Sequence, residues 1–174
     1  MKKIKANLLN GIVTSNESLA FSLYEKSVFG EKIGGKIQYS LPETLYLVEK
    51  KKIEVYSKNK KIDFEPLLNK FKKVDNRILI KYYVYRDLRE KGYIVKTALK
   101  FGAEFRVYDK GVKPGQKGKH ARWIVFTEKE TNKISWYEFA AKNRVAHSTR
   151  KKLLLAIIDE EGDISYYEVN WIKP

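Results

Sequence analysis

Tyr108, His120 and Lys151 are the residues of this 174-residue chain whose types and surroundings suit chemistry on a phosphodiester. Tyr108 ends a predicted strand at the entrance to a glycine-rich basic loop. His120 closes that loop. Lys151 opens a predicted strand inside a second basic stretch. A tyrosine, a histidine and a lysine can cut RNA without a metal ion. One group takes the proton of the 2′-OH, and another protonates the 5′-oxygen as it leaves. A cation stabilises the charge that builds on the phosphorane-like transition state. An imidazole, with an ordinary pKa of about 6.5, can donate a proton near neutral pH. A phenol, ordinarily near 10, is a poor base unless neighbouring cations favour the phenolate. Types and spacing alone do not establish such a triad. The chain has 12 tyrosines, and a given tyrosine is more often amphipathic packing. A lone surface histidine is more often simply solvated.

The charge pattern supplies a field for that chemistry. The chain carries 36 Lys+Arg against 21 Asp+Glu, a formal net charge of +15. Such a balance points to a polyanionic partner, most simply nucleic acid; the bland alternative is a solvated lysine-rich surface. Residues 110–122 hold five cations and no acid, and residues 142–152 hold five more, again with no acid. Together they supply +10 of the +15, and each contains one of the two histidines, His120 and His147. Unopposed cations repel one another, so these windows are expected to face solvent or an anionic ligand.

Several function classes are excluded or disfavoured. Hydrophobic residues make up 43% of the chain and aromatics 13%, too many for a disordered basic tail. No stretch approaches the ~20 apolar residues of a membrane span. No apolar h-region follows Met1-Lys2-Lys3-Ile4-Lys5, so a cytoplasmic protein is expected. The absence of cysteine rules out disulfides, zinc–thiolate sites and thiol catalysis. Neither a G-x-G-x-x-G nor a Walker pattern occurs; Gly30, Gly34 and Gly35 lack the spacing and read as turns. The acids Asp159, Glu160, Glu161 and Asp163 lack EF-hand spacing and read as an exposed turn rather than a cation site. No metal and no cofactor is expected.

The elements that must position the candidate residues follow from capping and periodicity. Strands are predicted over 3–9, 36–39 and 53–56. Ser40 caps a helix with Pro42 and Glu43 in its first turn. Asp63 caps another over 65–72. Asp75 starts the strongest helix, through Ile80, Val84 and Leu88, ending before Gly92. Strands then dominate: 93–98, 104–108 and 122–126, with 110–120 a loop broken by Gly111, Pro114, Gly115 and Gly118. A helix over 135–142 precedes two strands, 152–159 and 164–172, around the acidic turn.

The second half also carries longer motifs. Tyr93-Ile-Val-Lys-Thr-Ala-Leu-Lys-Phe-Gly-Ala-Glu-Phe-Arg-Val-Tyr108 is followed by Arg144-Val-Ala-His-Ser-Thr-Arg-Lys-Lys-Leu-Leu-Leu-Ala-Ile157. Asp159-Glu-Glu-Gly-Asp-Ile-Ser-Tyr-Tyr167 comes next. In this order the blocks closely resemble the archaeal tRNA-splicing endonucleases, over roughly residues 77–174. Residues 1–75 resemble that family more weakly, mainly in length and in Leu45-Tyr-Leu-Val48. The resemblance implies an α+β fold. Residues 1–75 would form a small mixed α/β domain, and residues 76–174 an α/β catalytic domain with a central mixed β-sheet. It implies metal-independent excision of introns from precursor tRNA at bulge–helix–bulge sites, leaving 2′,3′-cyclic phosphate and 5′-OH ends. By the same resemblance Tyr108 is the general base, His120 the general acid and Lys151 the electrostatic stabiliser. Arg144 falls where the family stacks a guanidinium on a bulge base. His147 and Ser148 join it in the substrate-binding set, with His147 in a structural hydrogen bond beside the site. The family's second clamping arginine has no counterpart; Tyr166 and Tyr167 stand in that region. Lys152 alternates to the other face of its strand and is not counted as catalytic.

The family's subunits pair through the C-terminal strand, and an acidic turn enters a basic cleft of a sister dimer. That implies an assembly role for Asp159, Glu160, Glu161 and Asp163. The expected partner is a second copy of the chain, in a dimer of dimers, or a structural subunit in a heterotetramer. Two other readings remain open at this point. One is a non-catalytic RNA-binding or structural subunit of the same complex. The other is a generic basic nucleic-acid-binding domain, which explains the charge but not its clustering.

Overall fold

Asn10 and Gly11 turn the chain back at φ 49° and 77°, the backbone an Asn-Gly hairpin needs, and the first sheet grows from that turn. The computed structural model describes residues 3–172 and 174, and the chain divides into two units, Met1–Arg86 and Asp87–Pro174. In the first unit β1 (Ile4–Leu9) and β2 (Ile12–Ser15) flank the turn. The sheet is completed by β3 (Glu31–Ile33), β4 (Lys36–Tyr39), β5 (Ile53–Ser57) and β6 (Lys60–Ile62). Strand order is β3-β4-β2-β1-β5-β6, with β1 and β5 parallel and the other pairs antiparallel. Helices α1 (Ser18–Ser27), α2 (Leu41–Glu49) and α3 (Phe64–Val74) belong to the same unit. The division between units falls inside α4 (Ile78–Glu90).

The predicted cap at Ser40 is a full capping box with Glu43, and Glu43 does more than cap. It is 4% exposed. Its carboxylate accepts from the Ser40 N–H at 3.3 Å, the Gly30 N–H at 2.8 Å and the Tyr85 hydroxyl at 2.9 Å. One buried side chain therefore ties the segment before β3 to α2 and α4. Glu43→Ala would remove all three of these hydrogen bonds from a buried site. It should cost about 2–4 kcal/mol, read as a lowered denaturation midpoint for the first unit.

The second unit carries the candidate residues. Its strands are β7 (Ile94–Ala98), β8 (Ala103–Tyr108), β9 (Trp123–Lys129), β10 (Lys152–Ile158) and β11 (Ile164–Val169), in the order β11-β10-β9-β8-β7. Helix α5 (Trp136–Ser148) crosses between β9 and β10, which run parallel; a parallel pair needs such a crossover. The other pairs are antiparallel. The sheet is mixed and the class α+β. The inner strands read as apolar runs, Trp123-Ile-Val-Phe126 and Leu153-Leu-Leu-Ala-Ile-Ile158, as strands buried on both faces do. On one face Phe139, Val145 and Ala146 of α5 pack on Ile124, Phe126, Leu153 and Leu155. That apolar stripe explains why α5 continues to Ser148 and does not stop near residue 142. The last strand stops at Val169, short of residue 172.

Register decides what meets at the sheet's end. Val107 is level with Trp123, and Trp123 with Lys152. The Arg122 N–H donates to the Val107 carbonyl at 2.8 Å, and the Lys152 N–H to the Arg122 carbonyl at 3.0 Å. The end of β8, the start of β9 and the start of β10 therefore share one end of the sheet. The 159–163 turn between β10 and β11 lies at the other. No described helix is long and apolar enough to cross a membrane.

Candidate active site

Tyr108 is the last residue of β8, His120 stands three residues before β9, and Lys151 immediately precedes β10. All three line one pocket of about 340 Å³. The loop into β9 turns at Gly115 and Gly118, both at positive φ (86° and 73°), which a side chain would resist. Those turns bring Lys117, Lys119 and His120 to the pocket, and Arg106 lines it from β8. Its lining includes four cations and no acid. Tyr108 is 6% exposed, its ring packed while it still lines the pocket. His120 is exposed.

Lys151 is held from two sides. Its ammonium donates to the Thr149 carbonyl at 2.8 Å and sits 5.8 Å from the centre of the Phe101 ring. Burial, then repulsion from Arg106, lowers its pKa from the ordinary lysine value. Among the described residues it has no carboxylate partner, and a desolvated ammonium of that kind gains from an incoming anion.

Arg144, His147 and Ser148 are on α5 at i, i+3 and i+4, hence on one face. They line a separate pocket of about 500 Å³ with Asn143 and Trp171. The structure brings them together, but they do not line the triad's pocket. The Ser148 hydroxyl donates back to the Val145 carbonyl at 3.0 Å. His147 packs edge-on against Trp171, with ring centroids 4.2 Å apart, so its side-chain contact is aromatic.

Trp171 is the residue that motif reading passed over. It is 56% exposed. It follows the end of β11 by two residues and lines a pocket together with Lys151. No local pattern in the sequence marks that neighbourhood, which depends on how the strands pair. Tyr166 is otherwise engaged: its hydroxyl donates to Asp87 at 2.7 Å, and Lys91 lies 5.0 Å from its ring centre. Burial and that hydrogen bond push the phenol well above its usual pKa. Tyr167 is exposed.

The basic windows are less open than their local sequence implies. Arg122 pairs with Asp109 at 3.3 Å and approaches Glu168 at 3.8 Å. Lys152 pairs with Glu168 at 2.6 Å, and Lys142 with Glu128 at 3.3 Å. Hydrogen bonds from Lys152 and from the Trp123 indole hold the Glu168 carboxyl below its ordinary pKa. Neighbouring strands thus neutralise cations that have no acid near them in sequence. In the acidic turn the Asp163 N–H donates to the Asp159 carboxylate at 2.8 Å, and Glu160 and Glu161 are exposed. Among the described residues no three His, Asp or Glu side chains are gathered to hold a metal ion.

An α+β frame that gathers a phenol, an imidazole and an ammonium in a cationic pocket suits chemistry on an anionic substrate. Residues 78–166 match the family described as tRNA intron endonuclease, catalytic C-terminal domain. Residues 4–68 match tRNA intron endonuclease, N-terminal domain. The chain is 50% identical over 139 residues to a tRNA-splicing endonuclease of Nanoarchaeum equitans, covering 77% of this chain and 88% of the relative. It is 42% identical over 175 residues to that of Pyrococcus horikoshii, with 99% of each covered. To that of Thermococcus onnurineus it is 41% identical over 160 residues, covering 92% and 91%. The chain belongs to the tRNA intron endonuclease family, which acts on precursor tRNA, and its second half is the family's catalytic domain.

Proposed function

We propose that this chain is the cleaving subunit of a metal-independent, cytoplasmic RNA-splicing nuclease that cuts both intron boundaries of a bulge–helix–bulge element. The observation that carries this reading is the shared pocket of Tyr108, His120 and Lys151. Tyr108 takes the proton from the 2′-OH at the cleavage site. The 2′-oxygen attacks the adjacent phosphorus, and the bond from phosphorus to the 5′-oxygen breaks. His120 gives that oxygen a proton, and Lys151 stabilises the extra negative charge in between. The products are a 2′,3′-cyclic phosphate and a 5′-OH. Arg106, Lys117 and Lys119 add to the field that draws the phosphodiester in. Recognition is of shape, because A-form helices hide base edges while bulged bases stand clear. Arg144 and Trp171, which line one pocket, supply a guanidinium face and an indole face for such a base. The acidic turn, at the sheet end away from the triad, docks on a basic face of a sister subunit in a dimer of dimers.

The test combines a mass measurement of the purified chain with a cleavage assay on the same sample. The chain alone should form a tetramer and cut bulge–helix–bulge RNA in excess EDTA, leaving cyclic phosphate ends. Loss of cleavage on chelation would refute the metal-free step. Binding without cleavage would make the chain a non-catalytic subunit.

A further inference from the structure

Arg150 occupies a backbone position that favours glycine. Its φ is 55°, in the left-handed region where a Cβ is strained. The residue closes α5. The Arg150 N–H donates to the His147 carbonyl at 2.9 Å, and the Lys151 N–H to the Ala146 carbonyl at 2.9 Å. These are the two bonds of a Schellman closure, whose left-handed residue is usually glycine. An arginine there gives up backbone stability, and strain of this kind collects at functional sites.

The side chain lines a trough of about 550 Å³ together with Arg122, His147, Lys151, Lys152 and Trp171. The trough shares Ala121 and Lys151 with the triad's pocket, so a strand lying in one continues into the other. Most of its cations are already engaged. Arg122 and Lys152 have acidic partners, and the Lys151 ammonium donates to a carbonyl. Arg150 is exposed, and among the described residues its guanidinium meets no acid, hydrogen-bond acceptor or ring.

We propose that Arg150 grips a backbone phosphate of the RNA next to the one that is cut. Its planar fork of donors matches a phosphate in two-point geometry. The closure that strains Arg150 also places Lys151, so one turn of chain sets both the grip and the stabilising cation. This role rests on the RNA-cleaving reading above and makes Arg150 a binding residue.

Arg150→Gly relieves the backbone while removing the charge, and Arg150→Lys keeps both the charge and the strain. The probe is a bulge–helix–bulge RNA with 2′-deoxy sugars at the cleavage sites, titrated across salt concentrations. Arg150→Gly should bind about tenfold more weakly near physiological salt. Its plot of log affinity against log salt should be shallower by about 0.7–0.9, the loss of one phosphate contact. Its melting temperature should be unchanged or higher by about 2 °C. Arg150→Lys should keep the wild-type slope. An unchanged slope in Arg150→Gly would overturn the assignment, as would a lowered melting temperature, which would make Arg150 a packing residue. If the wild type cuts RNA and the slope is unchanged, only this inference fails. If the wild type does not cut, both fail.

Discussion

His120→Ala should slow single-turnover cleavage by about 10²–10⁴-fold, the range for losing a positioned general acid. The fold should not notice. His120 is exposed, and among the described residues its ring has no hydrogen-bond partner, so stability should stay within about 0.5 kcal/mol of wild type. Affinity for uncleaved RNA should change little. The role can be separated from mere presence by changing the leaving group. A 5′-thiolate departs without a proton far more easily than a 5′-alkoxide, because a thiol is much the stronger acid. An RNA with sulfur at the 5′-bridging position should therefore be cut by His120→Ala at close to the wild-type rate. Unchanged cleavage of ordinary RNA would remove His120 from the mechanism. A large defect that sulfur does not rescue would move it from proton donor to some other task.

The elements that carry the triad were legible because their signals are local. Tyr108 ends an alternating strand, Glu104-Phe-Arg-Val-Tyr108, that meets a glycine-broken loop, and Lys151 stands just before the apolar run Leu153-Leu-Leu-Ala-Ile-Ile158. The Ser40 cap marked the start of α2, and in the structure both α2 and α5 open on capping boxes, at Ser40 and Ser135. Much of the first unit was not legible. β3 is three residues, all exposed, and β6 is three residues long. Neither is long enough for alternation to register. Several turns are also written without glycine. Lys58 and Asn59 join β5 to β6 at φ 50° and 63°, and Val28 closes α1 at φ 58°. A β-branched residue in that region gives no stop signal to a reader looking for glycine. Arg150 hides the end of α5 in the same way. The Asn10-Gly11 signal between β1 and β2 was there to be read.

The charge windows show a different limit. Local counting sees Arg122, Lys142 and Lys152 with no acid nearby, yet Asp109 and Glu168 reach Arg122 and Lys152 from neighbouring strands, and Glu128 of β9 reaches Lys142 of α5. Pairing that depends on register is invisible until the register is known. Trp171 was missed for the same reason, because it belongs with Arg144 only once α5 and the end of β11 are placed. What remains after the paired cations are set aside is a smaller set around the two pockets and the trough: Lys117, Lys119, Arg144, Arg150 and Lys151.

Lys151 is where that remaining charge bears on rate. Lys151→Ala should cost about 10²–10³-fold in cleavage, as removing one preorganised group from a transition-state charge does. Its pH dependence is the sharper test. Burial and the nearby Arg106 lower the Lys151 pKa in the free protein. The useful form is the ammonium, which is present below that lowered pKa and lost as pH rises through it. kcat/KM reports the free enzyme, so it should fall on the alkaline side earlier than an ordinary lysine would require. Bound RNA puts a phosphate beside the ammonium and raises the pKa again, so kcat should hold to higher pH than kcat/KM. A guanidinium does not titrate in this range. Lys151→Arg should be slower at neutral pH, because its geometry differs, but its alkaline fall should move to higher pH than the wild type's. An alkaline fall at the same pH in Lys151→Arg would assign that titration to another group, and an unchanged rate in Lys151→Ala would leave Lys151 without an electrostatic role.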